Sequence, residues 1–354
     1  MDFLNQLQSM LGNAYTLRRE LGGGGMSRVF VAEETALGRE VVVKVLPGDM
    51  AGQLSIERFK REIRVAASLQ QANIVPVLTA GDAGGVPYYT MPLVRGESLR
   101  ARLVQEGALS VAECVAILRD IAKALAYAHG EGIVHRDIKP ENILLSGGTA
   151  VVTDFGIAKA VEASQTMPTA VTLTQFGTVL GTPAYMAPEQ AVGDAAVDHR
   201  ADLYSLGVLA YELLVGKPPF AGRSPQATIA AHVTEQPVPI SVCRASTPSA
   251  LGALVMSCLM KDPQHRPQSA NEVLSHLDAV SLSRPAPPAE STRPTVAVLP
   301  LVNIGSSSED DYFSDGITED IIAQLSAIGG LKVISRTSAM RYKSSKQPLG
   351  FVNK

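Results

Sequence analysis

Cysteine is scarce in this 354-residue chain: there are three, Cys114, Cys243 and Cys258, scattered along it. They form neither the paired spacing of a zinc site nor an even-numbered disulfide framework, which points to a reducing compartment and a cytoplasmic protein. Long apolar runs are also missing. The longest candidates, such as residues 203–214, carry Glu212 and fall short of the roughly 20 residues that a membrane-spanning helix requires. Charge is nearly balanced, with a formal net charge of −3, so nothing draws the chain to nucleic acid or to an anionic membrane surface. The first twenty residues have no basic stretch leading into an apolar core and do not read as a secretory signal. What is present is 46% hydrophobic residues on a length that suits about two domains, enough to bury a sizeable core.

The most informative stretch is HRDIKPEN, residues 135–142, followed by Asp154-Phe155-Gly156. Phosphoryl transfer asks little covalent chemistry of a protein; it asks for positioning and charge neutralisation. Asp137 is placed to accept or orient the proton of an attacking hydroxyl, and Lys139 to neutralise the moving phosphate. Asn142 and Asp154 offer oxygens for Mg²⁺. The two segments match the signatures H-R-D-L-x-x-x-N and D-F-G, with Ile138 as the one apolar departure. His135 reads as a core histidine. On these residues the chain resembles bacterial, eukaryotic-like (Hanks-type) serine/threonine protein kinases, with Lys139 matching the serine/threonine-directed branch. The resemblance implies an α+β bilobal fold, a small β-rich lobe over a larger helical lobe, with ATP and Mg²⁺ (Mn²⁺ as the alternative ion) between them.

Residues 1–14 read as a short amphipathic lead-in, residues 15–280 as the kinase domain, with an N-lobe over 15–94 and a C-lobe over 95–280. Leu21, Gly22, Gly24, Gly25, Ser27 and Val29 resemble the glycine-rich nucleotide loop, Ser27 standing where a third glycine is usual. Glycine lets backbone amides approach phosphate closely. A dinucleotide-binding loop would lead into a helix, whereas residues 29–32 read as a strand. Residues 40–46 form a β-prone run around Lys44. The resemblance gives Lys44 to the α/β-phosphates and Glu62, on a helix over 55–69, to Lys44; Glu57 is the rival. Residues 74–78 and 88–93 read as strands. Met91 takes the gatekeeper position, and the Pro92 carbonyl and Val94 N–H face adenine.

Ser110 and Glu113 make a capping box for a helix through His129. Residues 157–189 resemble the activation segment. The resemblance sets Thr182 beside Asp137 and Lys139. It also makes Arg136 and Lys159 partners for a phosphothreonine, Thr174 first, with Thr172 and Thr178 as rivals. Glu189 is expected to pair with Arg266, and Asp202 to cap its helix and to hold the catalytic-loop backbone. A last helix runs to Val280.

Residues 281–294 hold four prolines and read as a linker. Residues 295–354 read as strand, helix and strand, a parallel unit, and resemble the start of a TolB-like domain. Asp310, Asp311 and Asp315 read as a solvated loop and helix N-terminus rather than a metal site. The unit is short for such a domain, which suggests a truncated product with marginal order after Pro294. The expected partners are protein substrates with serine or threonine, and a second copy for autophosphorylation in trans. The competing reading is a pseudokinase scaffold signalling through its C-terminal segment. Lys44, Glu62, Asp137, Asn142 and Asp154 are all present and favour the enzyme.

Overall fold

A computed structural model describes residues 3–24, 27–46, 56–155, 183–194 and 196–282, and beyond them 295–296, 298–299, 301, 309–326 and 332–333. The chain divides into two units, Met1–Ser283 and Arg284–Lys354.

The first unit opens with helix α1 (Phe3–Leu11), strands β1 (Tyr15–Gly24), β2 (Ser27–Glu34) and β3 (Arg39–Val45), helix α2 (Ile56–Ala67), and strands β4 (Thr79–Ala83) and β5 (Val86–Pro92). The strands form one antiparallel sheet in the order β1-β2-β3-β5-β4. Central β3 is buried on both faces, which is why it is valine-rich without polar alternation. Val41, Val43 and Val45 pack with Tyr15 and Phe30 beneath Leu7 and Leu11 of α1. Val42 faces the other way, toward Val75 and Met91. The lead-in helix is thus part of the fold, and Gln8 fastens it: its Nε2 donates to the Tyr15 carbonyl at 2.8 Å and its Oε1 accepts from Leu17 N–H at 2.7 Å.

The strand expected over 74–78 lies elsewhere. Strand β4 begins at Thr79, and Ile74 instead bridges Val152 in the other lobe. Val75 N–H donates to the Val152 carbonyl at 2.9 Å, and Val152 N–H to the Asn73 carbonyl at 2.8 Å. The apolar run reflects burial that is divided between the lobes: Ile74 joins the larger lobe's core, while Val75 packs on Val42 and Met91.

The larger lobe contains β6 (Glu97–Ser98), α3 (Leu99–Glu106), α4 (Val111–Gly130), β7 (Ile143–Ser146), β8 (Thr149–Val152), α5 (Pro188–Ala191), α6 (Arg200–Val215), α7 (Pro225–Thr234), α8 (Ile240–Cys243), α9 (Ser249–Cys258) and α10 (Ala270–Leu282). Ser110 caps α4, its Oγ accepting from Glu113 N–H at 3.2 Å. Helix α6 is buried all round from Ala201 to Leu214 and serves as the lobe's central post. Gly207 lets α9 approach it: a Cβ there would stand 2.7 Å from Cys258 Cβ. Asp202 does not cap α6; the cap position is His199, and Asp202 sits inside the first turn with its carboxylate turned to the catalytic loop.

In the second unit, β9 (Thr295–Val296) and β10 (Lys332–Val333) pair in parallel, and α11 (Glu309–Ser326) lies between them in sequence. Helix α11 starts at Glu309, so Asp310, Asp311 and Asp315 are helical rather than in a loop. Buried Thr318 accepts from Leu301 N–H at 3.2 Å. No helix among the described residues is long and apolar enough to cross a membrane.

Candidate active site

Among the described residues, two that are not glycine stand in the left-handed region, Arg136 at φ 67° and Asp154 at φ 66°. Such backbone costs energy and persists only where the surroundings over-determine it. For Arg136 the holder is Asp202, which has no solvent exposure. Its Oδ1 accepts from Arg136 N–H at 2.7 Å and its Oδ2 from His135 N–H at 2.8 Å. His129 Nε2 donates to Oδ2 at 2.9 Å. Burial alone would raise the Asp202 carboxyl, but the hydrogen bond and charge of His129 outweigh it and hold the group below its usual range. Gln190 Nε2 completes the clamp by donating to the Arg136 carbonyl at 3.0 Å.

His135 is fully buried. Its Nε2 donates to the Thr153 carbonyl at 2.8 Å, its Nδ1 accepts from Asp137 N–H at 3.2 Å, and its ring meets the edge of Phe155 at 4.7 Å. It therefore ties the catalytic loop to the strand that delivers Asp154. Thr153 N–H donating to the Asn142 carbonyl at 2.9 Å makes a second tie.

Asp137 Oδ2 accepts from Lys139 Nζ at 2.6 Å and from Asn142 Nδ2 at 3.0 Å. The Asn142 amide also donates to the Asp137 carbonyl at 2.8 Å. From the smaller lobe, Lys44 Nζ donates to Asp154 Oδ2 at 2.5 Å, and the Tyr89 hydroxyl to Asp154 Oδ1 at 2.7 Å. Lys44 and Tyr89 are register partners on β3 and β5, so one cross-strand pair reaches both oxygens of one carboxylate. Burial pushes the Asp154 carboxyl up; the Lys44 charge and the bonds from Lys44 and Tyr89 prevail and hold it below its usual range. The donors nearest the cleft are hard oxygens, a carboxylate and an amide, which suits Mg²⁺ shared with nucleotide phosphates. Among the described residues there is no cluster of three or more His, Cys, Asp or Glu that would form an all-protein metal cage.

Above this centre, Val29, Leu93, Val94 and Val151 pack around Val42, Val75 and Met91 in one apolar cluster. Pro92 closes β5 opposite Val41. Leu21 is exposed, and Gly22 and Gly24 lie in β1, with Gly24 opposite Ser27 of β2. Glu62 lies on α2. Gly25, Lys159, Thr172, Thr174, Thr178 and Thr182 fall outside the described residues.

Behind the site, Arg266 Nη1 and Nη2 donate to the two oxygens of Glu189 at 2.6 and 2.7 Å, a bidentate fork that anchors α5. The buried network around Glu212 was not foreseen. Arg100 donates to Glu212 at 2.8 Å, to Glu141 at 2.8 Å and to the Tyr185 hydroxyl at 2.5 Å, and Tyr185 in turn donates to Glu212. The signal was Glu212 itself, a charge inside an apolar helix, which requires a partner when buried. Tyr89 was also missed; its signal was a hydroxyl in mid-strand opposite Lys44.

Comparison with known proteins agrees with this geometry. The protein kinase domain model matches residues 15–277. Serine/threonine-protein kinase PknB of Mycobacterium tuberculosis (strain ATCC 25618 / H37Rv) is 41% identical over 283 residues, 78% of this chain and 44% of that protein. The probable serine/threonine-protein kinase SCO3848 of Streptomyces coelicolor is 43% identical over 76% of this chain and 40% of that protein. A crystal structure of Rad53 1-466 in complex with AMP-PNP is similar with a TM-score of 0.61 at 25% identity, covering 74% of this chain and 64% of that one. The chain spans less than half the length of these curated relatives. The chain belongs to the protein kinase family.

Proposed function

We propose that the chain binds Mg·ATP between its lobes and transfers the γ-phosphate to serine or threonine hydroxyls of protein substrates. The observation that carries this reading is the convergence of Asp137, Lys139, Asn142 and Asp154 of the larger lobe with Lys44 of the smaller one. Asp137 orients the attacking hydroxyl and takes its proton. Lys139, 2.6 Å from that carboxylate, neutralises charge on the moving phosphate. Lys44 holds the α/β-phosphates, with Glu62 as its partner on α2. Adenine lies against the apolar cluster that includes Val29 and Met91, facing the Pro92 carbonyl and the Val94 N–H. Asp154 and Asn142 hold the metal, which when bound shields the phosphate charge.

Regulation follows from sequence. A threonine of the activation segment, Thr174 or its rivals Thr172 and Thr178, is phosphorylated by a second copy, and Arg136 and Lys159 bind the product. Thr182 reads the substrate hydroxyl. Residues 295–354 carry a TolB-like α/β pattern, a reading supported by the parallel pair of β9 and β10. The three scattered cysteines support a cytoplasmic setting.

The test is a radiolabelled-ATP assay of the full chain with Mg²⁺ beside Asp137→Asn, followed by mapping of the label. Label on threonines between 166 and 178 is expected, with the rate in Asp137→Asn lower by about 10²-fold or more. Nucleotide binding without transfer in the native chain would instead favour the scaffold reading. Unchanged activity after replacing Thr172, Thr174 and Thr178 by Ala would remove the proposed switch.

A further inference from the structure

The Tyr89 ring is 2% exposed and packs among Leu46, Phe59 and Ile63, between the sheet and α2. A phenylalanine would fill that space equally well. The hydroxyl reaches out of this apolar cluster to Asp154 Oδ1 at 2.7 Å. An ionised carboxylate only accepts, so Tyr89 is the donor.

We propose that Tyr89 is a positioning residue for the metal-binding carboxylate: its hydroxyl orients Asp154 for Mg²⁺. The proposal rests on the kinase reading above. Asp154 is held by two donors, one on each oxygen, from adjacent strands. These fix the plane of the carboxylate on a backbone that is itself in an unfavourable region, at φ 66°. A carboxylate has about four lone-pair sites, so Oδ1 can accept from Tyr89 and still ligate a cation. The two donors differ in what else they serve. Lys44 also answers to the nucleotide phosphates, which compete for its ammonium. Tyr89 has a buried ring and a short reach, and its hydroxyl stays on Asp154 when Lys44 is drawn to phosphate. Hydrogen bonds to metal-ligating carboxylates of this kind change metal affinity by about 10–100-fold when removed.

The experiment compares the full chain with Tyr89→Phe and, as control, Tyr88→Phe. Tyr88 lies on the opposite face of β5, edge-on to Tyr15 at 6.3 Å between ring centroids. Three quantities are read: Mn²⁺ affinity by electron paramagnetic resonance with a non-hydrolysable ATP analogue, affinity for the analogue without metal, and melting temperature. For Tyr89→Phe the Mn²⁺ dissociation constant and the half-saturating Mg²⁺ for phosphorylation should rise by about tenfold or more, with metal-free binding and melting temperature nearly unchanged. Tyr88→Phe should move none of them. Unchanged metal affinity in Tyr89→Phe overturns the proposal. A loss that falls equally on metal-free nucleotide binding and on melting temperature also overturns it, because Tyr89 would then only support packing. Absence of phosphate transfer in the native chain is a failure of the kinase reading; the Mn²⁺ measurement still decides the role of Tyr89.

Discussion

Asp202 illustrates how much a single buried side chain can carry. It has no solvent exposure, and its two oxygens receive three donors, two of them backbone N–H groups of the catalytic loop. Replacing it with Asn keeps one accepting oxygen and turns an amide NH₂ toward a donor that then has no partner. Hydrogen bonds to buried charge are worth more than neutral ones, and an orphaned buried donor adds its own desolvation cost. Asp202→Asn should therefore destabilise the chain by about 3 kcal/mol, measured by urea melts, and should lower kcat more than it raises the KM for ATP. An unaltered kcat would mean that Arg136 keeps its φ without this clamp. The exposed pairs Arg39–Glu34 and Arg223–Glu235 are a contrast. Solvent screening leaves each worth little, so removing one should pass unnoticed beside Asp202.

Among the elements, α7 joins the central helix to the turn at Pro183–Tyr185 through one imidazole. His232 Nε2 donates to the Ala184 carbonyl at 3.0 Å, and its Nδ1 accepts from the Tyr204 hydroxyl at 2.9 Å. Lys261 Nζ donates to the same hydroxyl at 3.2 Å. Burial first, and then the Lys261 charge, push His232 down to about 4. In the unfolded chain the ring titrates at about 6.5. Between those values the unfolded state takes up a proton that the folded state refuses. The contribution is therefore full above the unfolded value and is lost as pH falls, at about 1.4 kcal/mol per pH unit. Lys261, lowered to about 8, stays protonated in both states across this window and adds no slope. The native chain should lose about 2 kcal/mol between pH 7 and pH 5 from this group, and His232→Gln should lose correspondingly less. Equal losses in urea melts of the two would remove His232 as the cause. Helix α7 was invisible to sequence reading for a related reason: its inward side presents Thr228, Ala231 and His232 instead of a leucine stripe, so the period that marks an amphipathic helix is weak.

At the scale of the whole molecule, the four clusters of buried apolar residues found among the described residues all lie within Met1–Ser283. A chain ending at Ser283 should therefore keep its melting temperature within about 2 °C, less than a 1 kcal/mol change produces in a domain of this size. It should also keep its phosphorylation rate. A larger fall in either would mean that the second unit supports the first. Local features were readable because neighbouring residues carry them: the valine run of β3, the Ser110 cap of α4, and the spacing that sets Asp137 and Asn142 on one loop before Asp154. Three features were decided only by tertiary structure. Ile74 and Val75 bridge to the other lobe, Asp202 leaves the cap of its own helix to His199, and Tyr89 shares Asp154 with Lys44. A helix cap or strand period is set within a few residues, where chain geometry leaves few choices. The partner of a buried polar atom is whichever donor or acceptor the packed core brings within reach, and for Asp154 those partners lie 110 and 65 residues away.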